Sequence, residues 1–121
     1  MAFHSFEDLE VWKRGCRQTV EIYRVMEGVR CFSLKDQMER AALSVPSNIA
    51  EGAERDSRGD FIRFLRIAKG SNGELRTQTY IAAELGLLKR DTARTLIAES
   101  KAISAMLQGL VRSLQKPTAE S

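Results

Sequence analysis

The chain has few of the side chains on which most enzyme chemistry depends. Of its 121 residues one is a histidine, His4, and two are cysteines, Cys16 and Cys31. A Ser-His-Asp or Cys-His arrangement would have to use His4, which precedes the first predicted helix. A di-iron site in a helical bundle needs Glu-x-x-His on two helices, and the sequence contains no copy of that motif. We therefore expect a protein that is not an enzyme and that has no metal or cofactor.

Long apolar runs are also missing. None approaches the roughly 20 apolar residues that a bilayer-spanning helix requires. The first residues include Glu7, Asp8 and Glu10, where a signal peptide would have basic and apolar segments. The two cysteines do not form a C-x-x-C motif, and Cys16 falls on an apolar helical stripe. We therefore expect a cytoplasmic protein, with no membrane partner, in which both thiols are reduced.

What the sequence does contain is helical periodicity over most of its length. An apolar content of 43% suits one domain spanning residues 1–121. Ser5, Ser33 and Ser57 each precede an aspartate by three residues, which is typical of a helix N-cap, and Asp91 indicates a fourth helix start. The predicted helices lie near residues 6–27, 34–55, 58–85 and 92–115, with no strands. The short connections predict an all-α, antiparallel up-down-up-down four-helix bundle.

The first predicted helix has two apolar sides. The stronger stripe is assigned to the core and comprises Leu9, Trp12, Cys16, Thr19, Val20, Tyr23 and Met26. Val11, Ile22 and Val25 lie on the opposite side, and Leu43 lies off the core stripe of helix two. A monomer would expose these four residues, so the pattern predicts that they form an oligomer interface.

Pro46 lies inside the second predicted helix. The apolar stripe continues in phase from Met38 to Ala53 across it, so we expect a kink at Pro46 and not a helix end. Ser44, Ser47 and Asn48 flank the proline, and we expect them to bond the carbonyls freed by its missing amide, which is a structural role. The alternative is that the polar face formed by Arg40, Ser44, Ser47 and Glu51 lines an oligomer surface.

Small residues cluster in the middle of the third predicted helix. Gly70, Ser71 and Gly73 stand there, where small side chains permit two helices to approach closely. We expect the third helix to be buried on more than one side.

The basic residues of the third predicted helix, and of the segment directly before it, lie on one side. The residues in this arc are Arg55, Arg58, Arg63, Arg66, Lys69 and Arg76. Asp56, Asp60 and Glu74 lie off the arc. Helix four repeats the pattern more weakly with Arg90, Arg94, Lys101 and Arg112. Spaced cations suit binding to a phosphate backbone, whereas the competing interpretation is an ordinary solvated face.

Several sequence stretches resemble a known family. They read RAALSVPSNIAEG at residues 40–52, FLRIAKGS at 64–71, EL at 74–75 and FEDLEVW at 6–12. The chain resembles the bacterial four helix bundle protein family, whose founding members are encoded by intervening sequences inside 23S rRNA genes. The resemblance implies a homopentameric barrel of bundles. It also implies kinship with the accessory variability determinant of diversity-generating retroelements, which works with a reverse transcriptase and nucleic acid.

Two functional hypotheses follow. The first is a non-enzymatic homo-oligomeric bundle that binds RNA or DNA backbone through its basic face as a scaffold or accessory factor. The second is a structural or protein-interaction module, with another protein such as a reverse transcriptase as partner and no role in binding nucleic acid. An enzyme acting through Glu51 or Ser47 is a distant third, because the base, nucleophile and metal set are missing.

Overall fold

Four α-helices form an antiparallel bundle in the computed structural model, which describes residues 5–117. A 3₁₀ turn at Phe6–Asp8 precedes α1 (Glu10–Val25), α2 (Phe32–Glu54), α3 (Arg58–Glu84) and α4 (Arg90–Gln115). Consecutive helices pack against each other and α1 also contacts α4, which closes the bundle. Residues 5–117 contain no strand. The predicted all-α four-helix bundle is confirmed.

The helix ends follow the predicted capping signals only in part. Ser57 caps α3, because its Oγ accepts a hydrogen bond from the Asp60 N–H at 3.0 Å. Ser5 caps the 3₁₀ turn instead of α1, which begins after Leu9. Ser33 lies inside α2, so its predicted capping role is wrong: the helix already begins at Phe32. A glycine with φ of +74°, Gly86, follows α3, a conformation that favours glycine.

The core consists of two apolar clusters, one toward each end of the bundle. The first contains Val11, Val45, Ile49, Phe61, Leu65, Ala68, Ile103, Leu107, Val111 and Leu114. The second contains Ile22, Met26, Met38, Ala41, Ala42, Leu75, Ala82, Leu88 and Leu96. All four helices contribute to each cluster. Two residues of the second cluster lie outside the helices: Met26 directly follows α1, and Leu88 lies between α3 and α4.

A buried polar network links three helices within the bundle. Asn72 Nδ2 donates to the Ser100 carbonyl at 2.7 Å and to Ser104 Oγ at 3.0 Å. Gln18 Nε2 of α1 donates to Asn72 Oδ1 at 3.2 Å. Arg76 donates to the hydroxyls of Ser100 and Ser104 at 3.0 and 2.8 Å. Because buried polar groups are costly when unpaired, this network favours one alignment of α1, α3 and α4.

The face of α1 that enters the core differs from the predicted one. Val11 and Ile22, predicted to point outward, are 4% and 1% exposed within the bundle. Val20 and Tyr23, assigned to the core, are 48% and 45% exposed. The outward placement of Val11 and Ile22 is therefore wrong, and neither can contribute to a surface interface of this bundle.

The physical reason lies in the other members of the inward face. Gly15 and Gln18 fall between Val11 and Ile22 on that face and both are buried. A glycine and an amide interrupt the apolar pattern on that face, so in the sequence the stripe that includes Val20 and Tyr23 is the more apolar one. Val25 is partly buried against the second cluster, which leaves Leu43, 50% exposed, as the one surface residue of the four predicted.

Pro46 is accommodated by α1. The helix runs without interruption from Phe32 to Glu54, so α2 does not end at the proline; the kink itself stays a prediction. The missing amide would have bonded the Ala42 carbonyl, and Thr19 Oγ1 of α1 lies 2.9 Å from that oxygen. Gly15 of α1 faces the ring: a Cβ at this position would lie 3.4 Å from Pro46 Cδ, in van der Waals contact.

The polar residues around the proline have a different role from the one predicted. Asn48 Nδ2 donates to both the carbonyl and the hydroxyl of Ser44, each at 2.8 Å. Ser47 is exposed. The carbonyl opposite the proline is thus satisfied from a neighbouring helix, which local sequence around position 46 does not reveal.

Both cysteines, Cys16 and Cys31, are free and partly buried. Burial raises the pKa of the Cys16 thiol and outweighs the nearby charge of Arg17, which acts in the opposite direction. Cys16 is therefore protonated over a wider pH range than an exposed thiol, which lowers its reactivity.

Candidate nucleic-acid interface

The six cations of the predicted arc divide into two groups. Arg55, Arg58, Arg63 and Arg66 are exposed, whereas Lys69 and Arg76 are only partly exposed. They do not form one uniform surface. Their neighbours explain the difference, and these neighbours come from α2 and α4 as well as from α3 itself.

Arg55 and Arg63 both lie over the Phe64 ring. Their guanidinium carbons are 5.0 and 4.5 Å from the ring centroid, within the range of a cation–π interaction. Arg55 Nε also lies 3.4 Å from a Glu51 carboxylate oxygen, and Arg63 Nη2 lies 3.8 Å from Asp60 Oδ1. Such exposed ion pairs are weak, so both cations remain open to a competing phosphate but are partly neutralised.

Lys69 and Arg76 are directed toward α4. Lys69 Nζ donates to Gln108 Oε1 at 2.8 Å, and Arg76 bonds the hydroxyls of Ser100 and Ser104. Both residues belong to the predicted phosphate-binding arc, and part of their donor capacity is used in these contacts with α4. Their contacts do show that this side of α3 faces α4.

Arg58 and Arg66 have no acidic side chain within 4.0 Å in the part of the chain that the structure describes. Both are exposed. Arg66 precedes Lys69 by three residues, so it lies on the same side of α3. These two arginines therefore add unneutralised charge next to α4.

The cations of α4 lie along the neighbouring surface. Arg90, Lys101 and Arg112 are exposed and have no ion-pair partner among residues 5–117. Arg94 pairs with Asp91 at 3.0 Å, and both side chains are largely exposed. Helical spacing places these four cations on one side of α4. We call the combined surface the α3–α4 seam; its cations are Arg58, Arg66, Lys69, Arg76, Arg90, Arg94, Lys101 and Arg112.

A groove of about 400 Å³ opens at one end of this seam. Its lining consists of Tyr80, Ala83, Arg90, Ala93, Arg94, Ile97, Ala98 and Lys101. Tyr80 is 52% exposed. Helical spacing places Arg90, Arg94 and Lys101 on one side of α4, but only the packing of the helices brings Tyr80 of α3 beside them. The apolar floor was missed, since alanines at helical spacing carry no distinctive signal.

A second groove of about 390 Å³ lies between α2 and α3 and is polar. Arg40, Ser44, Ser71, Glu74 and Gln78 are among its lining residues. The hydroxyls of the two serines are 2.9 Å apart and bond each other. Arg40 and Ser44 belong to the polar face that the sequence offered as an oligomer surface, whereas Ser47 and Glu51 of that face do not line this groove.

Metal and membrane sites are not found in the described chain. Among residues 5–117, no three His, Cys, Asp or Glu side chains gather closely enough to hold a metal ion. His4 lies outside the described residues. None of the four helices combines the length and apolarity needed to cross a bilayer within that range.

Comparison with known proteins gives the family. The model of the 23S rRNA-intervening sequence protein family matches residues 7–109. The chain belongs to this family. A crystal structure from the S23 ribosomal protein family, of a Bacteroides thetaiotaomicron VPI-5482 protein of unknown function, superposes with a TM-score of 0.80 and 23% sequence identity. The alignment covers 84% of this chain and 98% of that one, and it shows that the two share a fold.

No match was found among curated proteins. The matched range of this 23S rRNA-intervening sequence family member includes α1, α2, α3 and most of α4. The groove residues therefore lie within the family domain, and of the seam cations Arg112 lies beyond it.

Proposed function

We propose that the protein is a non-enzymatic, cytoplasmic, homo-oligomeric bundle that binds RNA or DNA backbone along the α3–α4 seam, as a scaffold or accessory factor. The observation that carries this proposal is the alignment of cations from two helices on one surface. Five of them, Arg58, Arg66, Arg90, Lys101 and Arg112, are exposed and have no acidic partner within residues 5–117.

The spacing of these charges suits a polyanion. Arg58 and Arg76 are 18 positions apart on one helix, a distance of about 27 Å at 1.5 Å per residue. Along that length, several phosphates of a nucleic-acid strand would approach the cations at once. Each phosphate that is neutralised releases condensed counterions, which favours binding without reading base sequence. The net charge of +3 adds a weak general attraction.

Salt-dependent binding tests this function. Fluorescence anisotropy with labelled RNA and DNA should show an affinity that falls steeply with salt; six or more contacts would give a loss of roughly 10³ or more between 50 and 200 mM. Replacing Arg58 and Arg66 with glutamine should weaken binding equally for unrelated sequences and flatten the salt slope by about 1 per lost contact.

The matched control replaces Lys13 and Arg24 with glutamine. Both are exposed on α1 and lie off the seam, and the net charge changes by the same amount. If this control weakens binding as much as the seam variant, the contacts are not localised. If the parent protein binds neither RNA nor DNA at low salt, the proposal is wrong and a protein-interaction function takes its place.

We propose that the protein self-associates through a surface formed by Val20 of α1 and Leu43 of α2. Thr19 of α1 contacts Ala42 of α2, and the next residue on each helix, Val20 and Leu43, is about half exposed. Two large apolar side chains on neighbouring helices favour contact with a second copy over exposure to water. This pair replaces the buried Val11 and Ile22 of the sequence-based interface.

Light scattering tests the oligomer. We expect a mass that is a multiple of 13.6 kDa at micromolar concentration. Leu43→Glu should dissociate the oligomer while helicity is retained, because a carboxylate buried without a partner is costly. Ile81→Glu, at a similarly exposed site on α3, should leave the mass unchanged. A parent protein of protomer mass would contradict self-association.

A further inference from the structure

The groove at the end of the α3–α4 seam combines an aromatic face with cations. We infer that it binds an unpaired nucleotide of a single-stranded RNA or DNA segment, with the base stacked on Tyr80 and the flanking phosphates on Arg90 and Lys101. This inference rests on the proposed nucleic-acid function and deepens it. It assigns a specific role to the groove, whereas backbone binding alone needs only the charges.

The aromatic side chain is available for stacking. Tyr80 stands on α3, half exposed, and borders the groove opposite α4. The floor beside it is formed by small or apolar side chains, namely Ala83, Ala93, Ile97 and Ala98. Three alanines keep the space beside the ring open, and about 400 Å³ lies within the size range of pockets for small ligands. A flat, partly apolar base suits such a space.

The charges of the groove suit phosphates. Arg90 and Lys101 are exposed without an acidic partner in the described chain. They are 11 positions apart on α4, a distance of about 16 Å, so phosphates on both sides of a stacked base can be reached. Arg94 is paired with Asp91, but both side chains are more than three-quarters exposed, so a phosphate can compete for it.

This combination distinguishes a single strand from a duplex. Proteins that bind single strands without sequence preference use a positively charged groove and aromatic side chains on which bases stack. In a duplex the bases are already stacked on each other and cannot reach Tyr80. The duplex can still bind the cations of the seam. The groove should therefore add affinity for single strands only.

The test compares Tyr80→Ala with the parent protein, using short single-stranded RNA and DNA and a duplex of the same sequence. Loss of one stacked base should weaken single-strand binding by about 5- to 150-fold, while duplex binding changes less than about twofold. Tyr80→Phe should bind like the parent, since it keeps the ring. Ile81→Ala is the matched control, because Ile81 is similarly exposed and does not line the groove.

A second readout reports stacking directly. A fluorescent adenine analogue within the single strand loses emission when it stacks on an aromatic ring. We expect quenching on binding to the parent and to Tyr80→Phe, and little quenching with Tyr80→Ala. Lys101→Gln should keep the quenching but lower the single-strand salt slope by about 0.7, as expected for one lost phosphate contact.

The outcomes separate this inference from the function on which it rests. If the parent binds nucleic acid and Tyr80→Ala retains both full single-strand affinity and quenching, the groove assignment is wrong and backbone binding stands. If neither RNA nor DNA binds at low salt, the proposed function itself is wrong and the groove assignment is wrong with it. A preference for RNA over DNA, or the reverse, would identify which polymer the groove accepts.

Discussion

Replacing Thr19 with valine tests how the fold tolerates a proline inside α2. Thr19 Oγ1 lies 2.9 Å from the carbonyl oxygen of Ala42, and no amide at Pro46 is available to bond it. Valine has nearly the shape of threonine but no hydroxyl. The substitution therefore removes a donor from a buried carbonyl and changes the packing little.

The magnitude follows from burial. Thr19 is 8% exposed and Ala42 is fully buried, so water cannot readily replace the lost hydroxyl. Leaving a buried acceptor unsatisfied costs about 1–3 kcal/mol, and we expect Thr19→Val to lower the free energy of unfolding by that amount. Thr19 Oγ1 lies 2.9 Å from the Gly15 carbonyl oxygen as well, four residues earlier on its own helix. Thr77→Val is therefore the matched control: Thr77 bonds the carbonyl four residues earlier at 3.0 Å but is exposed, so we expect a change within about 0.5 kcal/mol.

A double-mutant cycle with Pro46→Ala isolates the interaction. An alanine at position 46 restores the N–H that bonds the Ala42 carbonyl, so Thr19→Val should cost at least about 1 kcal/mol less in that background. Urea unfolding followed by circular dichroism, at one fixed protomer concentration, gives the four free energies. Equal costs of Thr19→Val in both backgrounds, within about 0.5 kcal/mol, would refute the reasoning.

Three further predictions concern packing, the thiols and the polar network. Gly52→Ala should lower the free energy of unfolding by about 1–3 kcal/mol, because the new Cβ would lie 2.7 Å from a Cβ of α3. Gly70→Ala should raise the free energy of unfolding by about 0.5–1 kcal/mol, because nothing lies within 4 Å of the new Cβ. Urea unfolding checks both values. In a Cys31→Ser variant, alkylation of Cys16 should reach half its maximal rate at a pH above that of an exposed thiol, since burial raises its pKa and only the thiolate reacts; a midpoint at or below that of a free cysteine would contradict this. Asn72→Ala should lower the free energy of unfolding by more than about 1 kcal/mol in the same assay, because it leaves buried partners unpaired, and an unchanged value would contradict the network's role.

Local signals in the sequence determined the helices. The capping serine Ser57 and the glycine Gly86 mark the two ends of α3 correctly, because capping depends on residues close in sequence. The continuous apolar phase across Pro46 correctly predicted an uninterrupted α2. These features are local, so helical periodicity and capping chemistry were sufficient to predict them.

The rotation of α1 was not predictable in the same way. Val11 and Ile22 point inward, and Gly15 between them faces Pro46 of α2. Close helix approach was likewise expected near Gly70, but it occurs at Gly52, where α3 leaves no room for a Cβ. Which small residue faces a neighbour depends on contacts between helices that are distant in sequence.

The candidate site was likewise predictable from the sequence only within each helix, and contacts between helices decided the rest. Helical spacing in the sequence sorted cations onto one side of α3 and another set onto one side of α4. The tertiary structure then placed the two sides next to each other, used Lys69 and Arg76 in contacts with α4, and opened a groove beside Tyr80. A helix determines the angle between its own side chains, but only packing against its neighbours decides which of those side chains are buried, paired or left exposed to a ligand.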